Sequence, residues 1–141
     1  MRRLALFAEA WVHLAFARLL CGLLPFRRVM ALAARHPRCP RAPDEAAIAR
    51  IVRAIDAAAR RAPFRAVCYE QGLAAQAMLR RRGFAVQLHY GAAHDESGQL
   101  AAHVWTRCGG LPVTGCAIAD RFALIASFPP TAEPLREIRR S

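Results

Sequence analysis

Apolar residues in this chain follow two periods, and the change between them falls at Gly83. Before it they recur every three or four positions, the spacing of a helix buried along one face. After it they alternate, the spacing of a half-buried strand. Positions 4–24 are almost wholly apolar, and Pro25 closes the run. Glu9 and Arg18 fall on opposite sides of that helix at 100° per residue, so it makes neither a clean membrane span nor a clean amphipathic stripe. The expected result is a helix buried in the protein or covered by a partner. A short second helix is predicted over 27–35. Pro37, Pro40 and Pro43 make 36–43 an extended linker. Asp44 is a suitable N-cap and Glu45 suits a first turn, so a third helix is predicted over 46–60, with Ile48, Ile51, Val52 and Ile55 facing inward. A fourth is predicted over 68–82, with Leu73, Ala74, Ala77 and Met78 on its apolar face. Arg80, Arg81 and Arg82 suit the negative end of its dipole, and Gly83 suits its stop.

In 84–91, Val86, Leu88 and Tyr90 alternate with Gln87 and His89, which predicts a strand. A polar loop follows over 92–98, then a second strand over 100–107. Gly109-Gly110 predicts a tight hairpin turn and a return strand over 111–116. A last strand or extended segment is predicted over 122–128. The fold class is α+β: a helical N-terminal half, then a helix packed on a small antiparallel sheet. The chain, 1–141, reads as a single domain with a helical segment over 1–43, a core over 44–128 and a basic tail over 129–141.

An apolar fraction of 55% argues against disorder. The net charge of +11 comes from arginine alone, for the chain has no lysine. Such a field attracts an acidic peptide or protein, a nucleic acid or an anionic membrane surface. Nucleic acid is the poorest fit, because the arginine run is accounted for by a helix dipole and no nucleic-acid motif is present. The first helix is a candidate for membrane contact. Met1-Arg2-Arg3 before an apolar run imitates a signal peptide, but the run is long, contains Glu9 and lacks a cleavage site. The cysteines, Cys21, Cys39, Cys68, Cys108 and Cys116, are odd in number and form no C-x-x-C, which fits a reducing cytoplasm with a thiol free for chemistry. His89, His94, Cys108 and Cys116 lack the paired spacing of a zinc site, so no metal or cofactor is expected.

Cys68 stands at the predicted start of the fourth helix, where the positive end of the dipole favours thiolate over thiol. His103 lies in Ala102-His103-Val104-Trp105, on the second predicted strand. A thiol and an imidazole brought together make a nucleophile and its proton carrier. The free N–H groups of the helix start, that of Cys68 first, can hold an oxyanion. Gln71 lies on the same helix face and can serve the oxyanion or the substrate, or simply be solvated. A two-residue turn at Gly109-Gly110 pairs positions whose numbers sum to about 219, which sets His103 opposite Cys116. No carboxylate lies there, and Asp120 is the nearest acidic residue downstream. It is expected to orient the imidazole, although a carbonyl or an amide can do so in its place.

These residues carry a resemblance that covers nearly the whole chain. Glu9-Ala10-Trp11 to Leu24-Pro25-Phe26-Arg27-Arg28, Cys68 with Leu79-Arg80-Arg81-Arg82-Gly83, Gly91, Ala102-His103-Val104-Trp105, Val113-x-Gly115-Cys116 and Asp120-x-Phe122 to Phe128 are similar to segments of the stand-alone leader peptidases of lasso-peptide biosynthesis. Those are transglutaminase-like cysteine proteases related to the microcin-processing protein. The resemblance implies a transglutaminase-like, papain-like fold, with Cys68 as nucleophile and His103 as acid and base. It implies cleavage of a precursor behind its leader peptide. Its partners would be that leader, a separate small leader-recognition protein and an ATP-dependent lactam synthetase. Many relatives carry an aspartate about where Gly115 stands. Two other readings stay open: an acyltransferase on the same fold, and a non-catalytic module that binds a peptide or partner.

Overall fold

Among the described residues, four helices precede one sheet, in the order that the change of period predicts. The computed structural model describes residues 2–35, 37 and 40–130. Part of the expected 36–43 linker, and the expected basic tail from position 131 on, lie outside the described residues. The elements are α1 (Arg2–Leu23), α2 (Phe26–Ala33), α3 (Glu45–Arg61), α4 (Cys68–Arg81), β1 (Gln87–His94), β2 (Leu100–Cys108), β3 (Leu111–Thr114) and β4 (Ala123–Phe128). A 3-10 segment, Cys116–Arg121, leads from β3 to β4. Asp44 caps α3 as expected, its side chain accepting from the Ala47 N–H at 3.1 Å.

The α4 helix is the centre of the molecule. Ala74, Ala75, Met78 and Leu79 pack with Ala10 and Leu14 of α1, with Ile48, Ile51 and Ile55 of α3, and with Phe84, Val86 and Cys108 at one end of the sheet. Each of the larger of these side chains contributes about 1.5–3 kcal/mol by leaving water. The buried surface of α4 also takes in Gly72 and Gln76, while Leu73 and Ala77 are half-buried. It is therefore broader than the single stripe predicted, because helices cover one side and strands the other.

Charge and amide groups tie the helices together. Glu9 of α1 accepts from Arg82 at 2.7 and 2.9 Å, and Arg18 reaches Glu70 of α4 at 3.4 Å. The two charges that spoil α1 as a stripe are thus both matched from the α4 segment. The guanidinium of Arg80 donates to the carbonyls of Leu32 and Arg35. The Gln76 amide, 1% exposed, lies within donating reach of the carbonyls of Ala33, Val86 and Phe128, joining α2, the residue before β1 and the end of β4 at one point.

The sheet is antiparallel with the order β3-β2-β1-β4. Gly109 and Gly110 form the expected turn with φ of +56° and +86°, values that favour glycine. Pairing beyond that turn departs from the prediction. Cys108 pairs with Leu111 and Arg107 with Pro112, but Thr106 pairs with Thr114. Val113 is the extra residue of a bulge, and β3 ends at Thr114 instead of reaching Cys116. Bulges bend a strand and re-aim the residues beyond them. Here the next residue, Gly115, takes φ +67° and leaves the ladder.

Candidate active site

Cys68 is the first residue of α4, as predicted. Val67 precedes it in an extended conformation and supplies no side-chain acceptor. The Glu70 carboxylate instead accepts from the Val67 N–H at 3.2 Å, one half of a capping box. Glu70 is 2% exposed, and Arg18 faces it. The Gln71 amide donates to the Ala66 carbonyl at 2.9 Å. The backbone on which Cys68 turns into the helix is therefore held by two side chains of the same helical turn. One N–H of Gln71, expected at the oxyanion, is engaged in that brace.

Thiol environment separates the described cysteines. Burial pushes the thiols of Cys21 and Cys108 up, Cys21 further so by the Glu70 charge, so both stay protonated at neutral pH. The single S–H of Cys116 lies within donating reach of the carbonyls of Thr106 and Thr114. Cys68 is half-buried at a helix start, where the first N–H groups lack intrahelical partners.

The way α4 lies on the sheet packs Cys68 with Val104 of β2 and Leu88 of β1. Gly72, one turn beyond Cys68, sits directly over β2. A Cβ there would stand 3.1 Å from the Val104 side chain and 3.5 Å from that of Thr106. Leu79, two turns on, packs in the cluster that holds Cys108, while Cys68 packs with that of Val104 and Leu88. The helix thus runs along β2 from Val104 toward Cys108. Its first residue lies about one helical rise of 5.4 Å from Gly72, and His103 immediately precedes Val104 on the strand, with its side chain on the opposite face from Val104. Among the described residues, no hydrogen bond joins the thiol to the imidazole, and the one bond of the His103 ring goes to Gly115.

His103 is 9% exposed and firmly placed. Its ring stacks on Phe122 with centroids 5.0 Å apart, and on Trp105 at 6.0 Å. Its Nε2 donates to the Gly115 carbonyl at 2.7 Å. A carbonyl only accepts, so Nε2 carries the hydrogen and Nδ1 keeps a lone pair for a proton. The acceptor is a carbonyl, the kind of group that the sequence reading allowed in place of Asp120. Asp120 is exposed on the 3-10 segment, and the orienting bond goes to Gly115. The cause is the Val113 bulge, which ends β3 early and turns the next peptide toward the ring. The position expected to lack a useful side chain contributes through its backbone.

A cavity of about 460 Å³ lies between α3 and the segment from β3 to Ala117, and neither Cys68 nor His103 lines it. Gln71, Gly115 and Cys116 line it together with Ile48, Val52 and Val113, with Glu45 and Asp56 also on its wall. Among the described residues, no three of His, Cys, Asp and Glu converge as metal ligands would. Trp105, Phe122 and the Gly115 carbonyl are site features that the sequence reading does not assign. The i, i+2 spacing of His103 and Trp105 on one strand is a usable signal for the first; nothing local marks the other two.

The sequence profile of the transglutaminase-like superfamily matches residues 10–127, a span that includes Cys68, Gln71, His103, Gly115 and Asp120. No curated protein and no solved structure matches the chain.

Proposed function

Because the chain belongs to the transglutaminase-like superfamily, whose chemistry is of the cysteine protease and acyltransferase kind, we propose that it is a cysteine peptidase. In this proposal its substrate is a ribosomally made lasso-peptide precursor, from which it removes the leader. What supports the reading is a cysteine at the start of α4, which packs on β2, and on that same strand a histidine whose Nε2 is tied to a peptide carbonyl.

The chemistry runs in two halves. The Cys68 sulfur attacks the scissile carbonyl while Nδ1 of His103 takes the thiol proton. The new imidazolium is held by the Gly115 carbonyl on Nε2 and by the two flanking rings. Free N–H groups at the start of α4 face the developing oxyanion, which is worth several kcal/mol in related sites. The imidazolium then protonates the leaving amine, and the acyl group stays on Cys68. Water, deprotonated by the same nitrogen, releases it. The cavity lined by Gln71 and Gly115 is where a substrate side chain fits. The precursor's leader would be presented by a small recognition protein, and the freed amine passed to an ATP-dependent lactam synthetase.

The test is reconstitution of the purified chain with a precursor and a recognition protein, read by mass spectrometry. Hydrolysis gives a core peptide with a free amine and a leader ending in a carboxylate. A leader that instead gains the mass of an added amine assigns acyl transfer. An intact precursor under conditions where Cys68 alkylates no faster than a free thiol assigns a binding module without catalysis.

A further inference from the structure

Helix α1 has a second face that the fold leaves uncovered. Ala10, Leu14 and Ala17 are sealed in the core. On the opposite side Leu4, Val12, Phe16, Leu19 and Leu23 are 74%, 59%, 57%, 56% and 73% exposed. At 100° per residue these five fall within an arc of about 120°, and the helix carrying them is about 33 Å long. The arc holds no charged side chain, and Trp11, 37% exposed, lies at its margin.

The charges at the ends of this stripe share one sign. Arg2 and Arg3 stand at its start, and Arg27 and Arg28 come after exposed Phe26 just past its end; all four are exposed. Positions 2–35 carry six arginines and one carboxylate, Glu9, and that carboxylate is bound by Arg82. The helix is apolar and long enough to cross a membrane, with mean hydropathy 1.6 in its most apolar window and only 17% of that window buried. It does not leave the protein to do so, because Arg18 and Glu9 are paired with Glu70 and Arg82 and its other face fills the core.

We propose that this face docks the protein on an anionic lipid bilayer, with α1 lying in the plane of the surface. The apolar stripe enters the acyl boundary and the terminal arginines meet acidic headgroups. Protein interfaces that form and break are about as polar as the rest of a surface; a stripe of leucine, valine and phenylalanine edged by cations suits lipid better. The Arg18–Glu70 pair links the docked helix to the first turn of α4, so the surface would hold the thiol-bearing end close to the membrane. The proposal is independent of the substrate assigned above.

The test is co-sedimentation of the full chain with vesicles of phosphatidylglycerol and phosphatidylcholine, compared with phosphatidylcholine alone. Binding to the anionic vesicles is expected, falling as salt is raised. Leu19→Glu and Phe16→Glu are expected to weaken it about ten-fold or more without changing the thermal unfolding midpoint, since both side chains are exposed. The double reversal Arg27→Glu with Arg28→Glu is expected to weaken anionic binding alone. No binding to anionic vesicles, or binding indifferent to Leu19→Glu, overturns the proposal. So does a dimer in sedimentation velocity that Leu19→Glu dissociates, which would assign the face to a second copy. Protection of Leu19 and Phe16 by a recognition protein, with no vesicle binding, would assign it to that partner and overturn the proposal equally.

Discussion

His103 donates from Nε2 to the backbone carbonyl of Gly115, across 2.7 Å. A peptide carbonyl does not titrate in any accessible range and cannot be removed by changing a side chain. The imidazole is thus oriented without a carboxylate. Asp120→Asn should therefore leave the rate of leader removal within about two-fold of the parent, well short of the 10²–10⁴-fold associated with acid–base groups. Steady-state kinetics with the reconstituted system measures it, and a hundred-fold loss would restore Asp120 to the site.

Gly115 should not accept a side chain. Its φ is +67°, and a Cβ would stand 2.5 Å from the Val104 carbonyl and 3.2 Å from His103 Nε2. Backbone strain of this kind costs about 1–3 kcal/mol. Gly115→Ala is expected to lower the unfolding midpoint and the activity together. Gly115→Asp is expected to do the same, and not to raise the rate by supplying a carboxylate. Thermal unfolding beside kinetics decides it; a more active aspartate variant would show that orientation by the backbone is a poor substitute.

Gly72 sets the distance between α4 and β2. An alanine there meets only side chains, at 3.1 Å or more, and gains about 1 kcal/mol of helix propensity. Gly72→Ala should be close to neutral in stability. Gly72→Leu overfills the seam, at a cost of about 1–3 kcal/mol, and lifts the helix that carries Cys68. Its activity should fall by more than its unfolded fraction explains. Equal losses in folded fraction and rate would mean the seam does not position the thiol.

The Glu9–Arg82 pair predicts a pH dependence. Its hydrogen bond with Arg82 holds the Glu9 carboxyl below the ordinary glutamate range, against the opposing effect of partial burial. A folded-state value below the unfolded one stabilises the fold above the unfolded pKa, and this stabilisation is lost as pH falls through the folded value. Glu9→Gln should therefore lower stability by about 1 kcal/mol at neutral pH. The gap to the parent should close as pH drops through the acid range. Denaturant unfolding at several pH values reads it, and a gap that persists unchanged at the acid end contradicts the pairing.

Much of the architecture is legible in the sequence because local chemistry announces it. Asp44 offers a cap, and its oxygen accepts the Ala47 N–H. Gly109-Gly110 offers a turn, and both residues have positive φ. Cys68 opens its helix at the predicted boundary. The illegible features depend on groups far apart in sequence. The Val113 bulge comes from fitting Thr114 against Thr106, whose hydroxyls meet at 2.7 Å, and periodicity says nothing of that. A backbone acceptor such as the Gly115 carbonyl carries no residue-type signature, so a search by residue type for a third group arrives at the nearest acid, Asp120. Likewise Gln76 ties the end of the β1–β4 pair to α2 from the middle of a helix, where glutamine looks ordinary.

The central claim is that Cys68 and His103 act as one unit. Leader removal by Cys68→Ala, His103→Ala and the double variant, measured side by side, tests it most directly. The account predicts that each single change lowers the rate by about 10³-fold or more, and that the double variant is little worse than either, since groups acting together are not additive. A single variant that keeps the parental rate, or losses that multiply in the double variant, would contradict it.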